Sequence, residues 1–231
     1  MPCMKPPPQY QGTPNRYLLT RGSCLWRVHG RKYGPRAFKD QPSGRLYGGG
    51  RFDATDADSY PFCYLALDET TALAEALVRD LEFDEYGGRR LPRSAVERRQ
   101  VSGLTLTRDM DLVSLLSSRD LAAVAQDEWL VTVKGDGYPQ TRDWAHWIRR
   151  HAPGAHGLIW SSLRDQGEPA IILFGDRCAA TFGGNYERTL LHEVPELAVD
   201  LDDDAGAEWL NRRLEPYHVA VDYPGHASLR R

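Results

Sequence analysis

No stretch of this sequence is long and apolar enough to span a bilayer, and no two of its four cysteines are spaced as CxxC. The first absence excludes a transmembrane helix. The second removes zinc-knuckle and dithiol redox chemistry. Cys63 and Cys178, set among apolar neighbours, read as small core residues, while Cys3 and Cys24 stand apart. An excess of one charge is missing too. The 29 Lys and Arg residues face 32 Asp and Glu, a net charge of −3. A nucleic-acid binder ordinarily carries a clearly basic domain or stripe, so no direct nucleic-acid binding is expected. Arg89-Arg90 and Arg98-Arg99 read as solvated loop charges. The opening MPCMKPPPQYQGTP lacks the apolar centre of a secretion signal. The expected location is therefore the cytoplasm, away from membranes.

Motifs that would announce a common enzyme class are also missing. There is no GxGxxG or GxxxxGK[ST] for a nucleotide-binding turn, no HExxH, and no GxSxG elbow. The seven histidines form no ligand pattern, so no metal is expected.

What is present is an ordinary globular composition, 41% hydrophobic and 26% charged over 231 residues, enough for one large core. Residues 1–20, rich in proline and polar side chains, read as a flexible or loosely docked arm. Residues 21–222 read as a single domain, and 223–231 as a mobile tail. Strands are expected at Cys24–Val28, Phe62–Leu67, Val101–Leu106, Asp111–Leu116, Gly157–Trp160 and Ala170–Phe174. Leu190–Val194 and Val219–Val221 add shorter ones. Asp68 is placed to cap a helix whose Leu73, Leu77 and Leu81 recur at helical spacing. Ser117 or Ser118 caps a helix through Leu121, Val124 and Trp129, and Thr141 caps one with Trp144, Trp147 and Ile148 on its buried face. A further helix covers Ala205–Leu214. Glu82–Arg99 reads as a charged excursion or hairpin. Strands mixed with helices, without regular βαβ alternation, point to an α+β fold with small mixed or antiparallel sheets.

Within this frame, several polar residues stand where apolar or glycine-rich surroundings make them conspicuous. Arg27 lies in LWRVHG, Arg51 in YGGGRFD, Tyr64 in FCYLAL, Glu75 in TALAEAL and Ser162 in GLIWSSLRD. Taken singly, each has a bland reading as a salt bridge, core tyrosine, surface carboxylate or turn serine. Together they supply two guanidiniums, a phenol, a carboxylate and a hydroxyl. That set could hold an anionic nucleotide and act on its sugar. Gly48, Gly49 and Gly50 would let backbone approach such a ligand closely.

In their order, LWRVHG, GGGRFD, CYLALDETTALAEALVRD and GLIWSSLRDQGEPAIILFGDR resemble the RES domain family over roughly Leu25 to Arg177. The name-giving Arg, Glu and Ser correspond here to Arg27 or Arg51, to Glu75 and to Ser162. Phe52-Asp53 follows Arg51 where family members often have Trp-Asn, and Ser161 stands where proline is frequent. Which of Ser161 and Ser162 faces the site is left open. The resemblance implies a fold similar to ADP-ribosyltransferases and a toxin of a toxin–antitoxin pair that breaks the nicotinamide–ribose bond of NAD. NAD is then a substrate and no cofactor is implied. Inorganic phosphate is a candidate co-substrate beside water, and a helix-turn-helix antitoxin is a candidate partner covering the active site.

Under that resemblance Glu75, Arg27 and Ser162 are candidate catalytic residues, and Arg51, Tyr64, Gly49 and Gly50 candidate substrate-binding residues. Arginines suit the diphosphate because their planar fork matches its oxygens. A carboxylate suits an oxocarbenium-like sugar, as in glycosidases. Two other readings stand beside this one: an ADP-ribosyltransferase acting on a protein, and a non-enzymatic nucleotide- or partner-binding module.

Overall fold

Side chains of the central strands alternate between two buried faces, and that alternation organises the molecule. The computed structural model describes residues 4–43, 49–79 and 81–222. Gly48, Cys3 and the expected tail at 223–231 lie outside the described residues. Its strands are β1 (Arg16–Leu19), β2 (Cys24–Gly30), β3 (Phe62–Ala66), β4 (Arg89–Leu91), β5 (Arg99–Leu106), β6 (Met110–Leu115), β7 (Gly157–Ser161), β8 (Pro169–Phe174), β9 (Leu191–Asp200) and β10 (Val219–Val221). The helices are α1 (Glu69–Leu73), α2 (Ser118–Ala122), α3 (Trp129–Thr132), α4 (Tyr138–His151), α5 (Gly175–Phe182), α6 (Tyr186–Leu190) and α7 (Asp204–Leu214). Helix α1 runs on as a π turn over Ala74–Val78.

Among the described residues, eight strands form one mixed sheet in the order β1-β6-β7-β8-β3-β2-β5-β9, and β4 pairs with β10 in a second. Phe62, Trp160 and Ile172 face one side, where they bury Trp144, Trp147 and Ile148 of α4. Cys63, Ile159, Ile171 and Leu173 face the other, against Leu104, Leu106 and Leu190. A third core joins Leu73, Leu77 and Val78 to Val101, Leu210 and Leu214. The expected α+β class is what the chain adopts. The parallel step from β6 to β7 needs a long crossover, which α2, α3 and α4 provide.

Several local expectations change. The 1–20 segment is not wholly a loose arm: Arg16–Leu19 is an edge strand paired with β6, and Trp147 Nε1 donates to the Pro7 carbonyl at 3.2 Å. A four-residue strand is too short for its period to show in sequence. Glu82–Arg99 forms no hairpin, because β4 pairs in parallel with β10, far along the chain. Ser117 does cap α2, in a capping box with Asp120. That helix stops at Ala122, however, and Ala125 turns into positive φ (57°), so Trp129 opens a separate helix. Thr141 caps nothing. Helix α4 starts at Tyr138, and Thr141 is fully buried within it.

The sheet leaves no room at its centre. A Cβ on Gly157 would lie 2.0 Å from the Ile172 carbonyl oxygen of the neighbouring strand. Gly157→Ala is expected to destabilise the fold by about 1–3 kcal/mol through overpacking. Urea unfolding checks this as a lower midpoint with an unchanged slope; an unaltered midpoint would show that the strands part without cost.

Candidate active site

The main sheet splits at β2. On one edge β2 pairs with β5 along its length, from Cys24↔Thr105 to Gly30↔Arg99. On the other edge its register with β3 is held at Trp26↔Ala66. The loop between β2 and β3 fills the widening gap, and a cleft of about 330 Å³ opens there. Its lining includes Trp26, Arg27, Gly49, Gly50, Arg51, Asp53, Tyr64, Glu75, Arg79, Tyr138 and Trp160. Six of the seven residues marked out by sequence therefore border one cavity. The seventh, Ser162, is 2% exposed and lies behind Glu75.

Glu75 reaches the cleft from the π turn. Such a turn widens a helix locally and recurs at functional sites. Ala72, Glu75, Ala76 and Arg79 all border the cleft, a helical i, i+3, i+4, i+7 stripe beside the core stripe of Leu73, Leu77 and Val78. The two alanines keep that wall low, so Glu75 and Arg79 stand out from it.

A hydroxyl fixes the Glu75 carboxylate. Ser162 Oγ donates to Glu75 Oε1 at 2.6 Å and accepts from the amides of Arg164 and Asp165, each at 3.0 Å. Its one proton is thus committed to Glu75. A second bond repeats the tie one turn earlier, where Thr71 Oγ1 donates to Asp165 Oδ2 at 2.6 Å. Two residues of one helix are thereby latched to one short loop. Ser161 turns away and accepts from the Gly167 amide at 3.3 Å. The serine directed at the carboxylate is Ser162.

Tyr64 is equally committed. Its hydroxyl donates to Asp53 Oδ1 at 2.8 Å and accepts from the Phe52 amide at 2.9 Å. Asp53, 2% exposed, also accepts from Ser43 Oγ and has Lys39 Nζ at 3.7 Å. Burial first, then the charge of Asp53, holds the Tyr64 phenol well above its ordinary value. What Tyr64 can offer a ligand is its ring, set edge-on to Trp160 with centroids 6.1 Å apart.

The arginines differ. Arg27 borders the cleft, but its guanidinium donates to the carbonyls of Pro35 (2.8 Å) and Ala37 (2.5 Å), which ties down the loop after β2. Arg51 is 8% exposed and donates to the Leu130 carbonyl at 3.2 Å, with its guanidinium 5.1 Å from the Tyr138 ring centroid. Desolvation lowers its pKa, and Tyr138 and Glu75 oppose that shift.

The glycines are required by crowding. Gly49 has φ 78°, and a Cβ there would lie 2.5 Å from Ser43 Oγ. At Gly50 a Cβ would meet the Tyr64 hydroxyl at 2.5 Å. Side chains satisfy four successive carbonyls in this stretch. Arg79 reaches that of Gly49 (3.5 Å), Arg142 that of Gly50 (3.1 Å), Thr141 that of Arg51 (2.6 Å) and Tyr60 that of Phe52 (2.9 Å).

The RES domain model matches residues 24–214, most of the chain. This protein belongs to the RES domain family. Its fold is similar to that of a chain in the crystal structure of the M. tuberculosis MbcT–MbcA toxin–antitoxin complex. The two are 14% identical with a TM-score of 0.52, over 85% of this chain and 91% of that one. A search of curated proteins finds no match. The curled mixed sheet with packed helices accords with an ADP-ribosyltransferase-like fold.

Several residues of this RES domain site escaped sequence reading. Arg142 and Thr141 sit in a helix among tryptophans, with nothing local to tie them to residue 50. Arg99 borders the cleft from β5 and is no solvated loop charge. Asp53 was visible as the departure after Arg51, but its role depends on contact with Tyr64. Among the described residues no His, Cys, Asp and Glu cluster could hold a metal. No helix among them is long and apolar enough to cross a membrane.

The raised Tyr64 pKa has a sign that can be checked. Its contribution to stability is present below the ordinary tyrosine value of 10.0 and is lost as pH rises through the folded value. Stability is therefore expected to fall once pH passes about 10. The slope should be shallower in Tyr64→Phe than in wild type. Equal slopes in the two proteins, measured by denaturant unfolding across that range, would contradict this.

Proposed function

We propose that this RES domain protein is a toxin-type enzyme that cleaves the nicotinamide–ribose bond of NAD, with phosphate or water as acceptor. The observation that carries this reading is the Ser162–Glu75 hydrogen bond, which presents a carboxylate to a cleft bordered by arginines. When the glycosidic bond breaks, its electron pair leaves with the ring nitrogen, and neutral nicotinamide departs. Positive charge then develops at the ribose C1′. A fixed carboxylate stabilises that charge without reorganising, and it does so best where water is thinned. Glu75 fills that role, with Ser162 orienting it. The Tyr64 ring packs beside the nicotinamide ribose. An oxygen of phosphate or water then bonds to C1′, giving ADP-ribose 1″-phosphate or ADP-ribose. With water, one proton is released to solvent.

The fold likeness to a chain of a toxin–antitoxin complex supports a protein partner that silences this activity in the cytoplasm, and the reading includes a helix-turn-helix antitoxin over the cleft.

Glu75→Gln keeps the Ser162 bond's geometry and removes the charge. It is expected to lower kcat for NAD loss by about 10²–10³-fold. Turnover followed with and without phosphate, by separating the sugar products, assigns the acceptor. Undiminished NAD loss in Glu75→Gln would sink the assignment. Label from NAD appearing on protein would make the enzyme an ADP-ribosyltransferase instead.

The latch predicts a second effect. Asp165 is not one of the residues lining the cleft, yet it holds Thr71 one turn from Glu75. Asp165→Asn is expected to lower kcat by roughly 10–100-fold through misplacement of the carboxylate, with little change in KM. A rise in KM at constant kcat would mean that the latch serves binding.

A further inference from the structure

We propose that Asp53 is a positioning residue of the cleft: its buried carboxylate holds the Tyr64 ring and the Gly49–Gly50 turn at the spacing that a bound dinucleotide meets. This rests on the reading of the cleft given above and adds a residue that decides how well the substrate is held. Three pieces of chain converge on the carboxylate. Tyr64 of β3 donates its phenol proton to Oδ1 at 2.8 Å, and Ser43 donates its hydroxyl proton to Oδ2. Lys39 brings its ammonium to 3.7 Å from Oδ2 and donates to Ser43 Oγ at 3.3 Å. The third piece is the turn. A Cβ on Gly49 would lie 2.6 Å from Oδ2, and one on Gly50 would lie 2.6 Å from Oδ1 and 2.5 Å from the Tyr64 hydroxyl. Gly50 therefore packs against both ends of the Tyr64–Asp53 hydrogen bond, and that bond sets how closely the turn approaches β3.

The joint needs a carboxylate. Burying one to 2% exposure is costly, and an amide of the same shape would spare that cost. An asparagine, however, has one acceptor oxygen, and its NH2 group only donates. Tyr64 and Ser43 each present a proton, to opposite oxygens. The Tyr64 hydroxyl also accepts from the Phe52 amide at 2.9 Å, which directs its own proton toward Asp53. With asparagine at this position, an N–H group would face one of the two hydroxyls, and that hydroxyl would have to turn its proton elsewhere. On one side this frees the Tyr64 ring from the turn; on the other it frees the loop at Ser43. Tyr64, Gly49 and Gly50 border the cleft, whereas Ser43 is not one of its lining residues. A ligand therefore senses Ser43 through the carboxylate and the turn packed on it. Ring and turn meet the substrate alike before and during bond breaking, so their loss is felt in binding.

The test is a double-mutant cycle in binding, which needs no turnover. Carba-NAD, whose carbocyclic ribose resists cleavage, is titrated calorimetrically into wild type, Asp53→Asn, Tyr64→Phe, the double variant and Ser43→Ala. Wild type should bind it. Asp53→Asn and Tyr64→Phe should each weaken binding about tenfold, the scale of one hydrogen bond to a charged group. The double variant should also lose only about tenfold, because both changes break the same link. Ser43→Ala, the mildest change, should weaken binding about threefold, and it decides the matter if Asp53→Asn fails to fold. In turnover, Asp53→Asn should raise KM for NAD far more than it lowers kcat. Losses that multiply to about a hundredfold in the double variant mean that Asp53 and Tyr64 act independently, and they overturn the inference. Unchanged binding in Ser43→Ala overturns it too, as does a fall in kcat at constant KM in Asp53→Asn. If wild type does not bind carba-NAD, the dinucleotide reading of the cleft falls and takes this inference with it. If Glu75→Gln still consumes NAD, only the role of Glu75 is lost, and the cycle still decides that of Asp53.

Discussion

Four consecutive carbonyls without a sheet or helix to pair them are the constraint around which this site is built. A buried peptide group must find a partner or cost free energy comparable to a lost hydrogen bond. Residues 49–52 belong to no regular element, and side chains from Tyr60, Arg79, Thr141 and Arg142 meet their carbonyls. Thr141 and Arg142 are neighbours in α4, while Tyr60 and Arg79 come from two other parts of the chain. The result is a loop whose carbonyls are met by side chains, as a strand's are met by backbone. Ser43, Asp53, Arg142 and Tyr64 can close on it because Gly49 and Gly50 carry no side chain.

The opposite wall obeys a related economy. Helix α1 and its π turn give one stripe to the core and the adjacent stripe to the cleft, so Glu75 is positioned by packing before any hydrogen bond is made. Ser162 then fixes what packing leaves free, namely the rotation of the carboxylate, while Asp165 ties the helix at Thr71 one turn earlier. Both polar residues most exposed to misreading, Tyr64 and Ser162, spend their only protons inside the protein. They shape the site and orient its charge, which differs from the direct contacts usually imagined for hydroxyls in a cleft.

Much of this was legible in sequence. Strong local signals carried it: the apolar runs of β3, β7 and β8, the Asp68 cap, and the Leu73–Leu77 period. The family resemblance gathered Arg51, Tyr64, Glu75 and Ser162 into one set, and six of the seven chosen residues do border one cavity. The failures share a cause. Thr141 looked like a cap because a threonine before a tryptophan-rich helix ordinarily is one, yet its hydroxyl serves a carbonyl ninety positions away. Arg27 sits in the right strand, but which neighbours its guanidinium meets depends on how the following loop folds back. Arg79, Arg142 and Asp165 act through long-range contacts that no local window contains. The pairing of β4 with β10 was hidden for the same reason, and the strand at Arg16–Leu19 by its shortness.

The long reach of these contacts has a consequence for how the site comes into being. One wall depends on residues 162 and 165, and the glycine turn depends on residues 141 and 142. A growing polypeptide that has emerged only as far as β6 already contains Arg27, Arg51, Tyr64 and Glu75, but it lacks the donors to the Gly50 and Arg51 carbonyls and the hydroxyl that holds the carboxylate. Contacts between distant positions form late, because loop-closure entropy must be met first. The cleft therefore cannot assemble piecemeal. A truncated or half-folded chain holds the right side chains in no fixed arrangement, and competence arrives with completion of the fold.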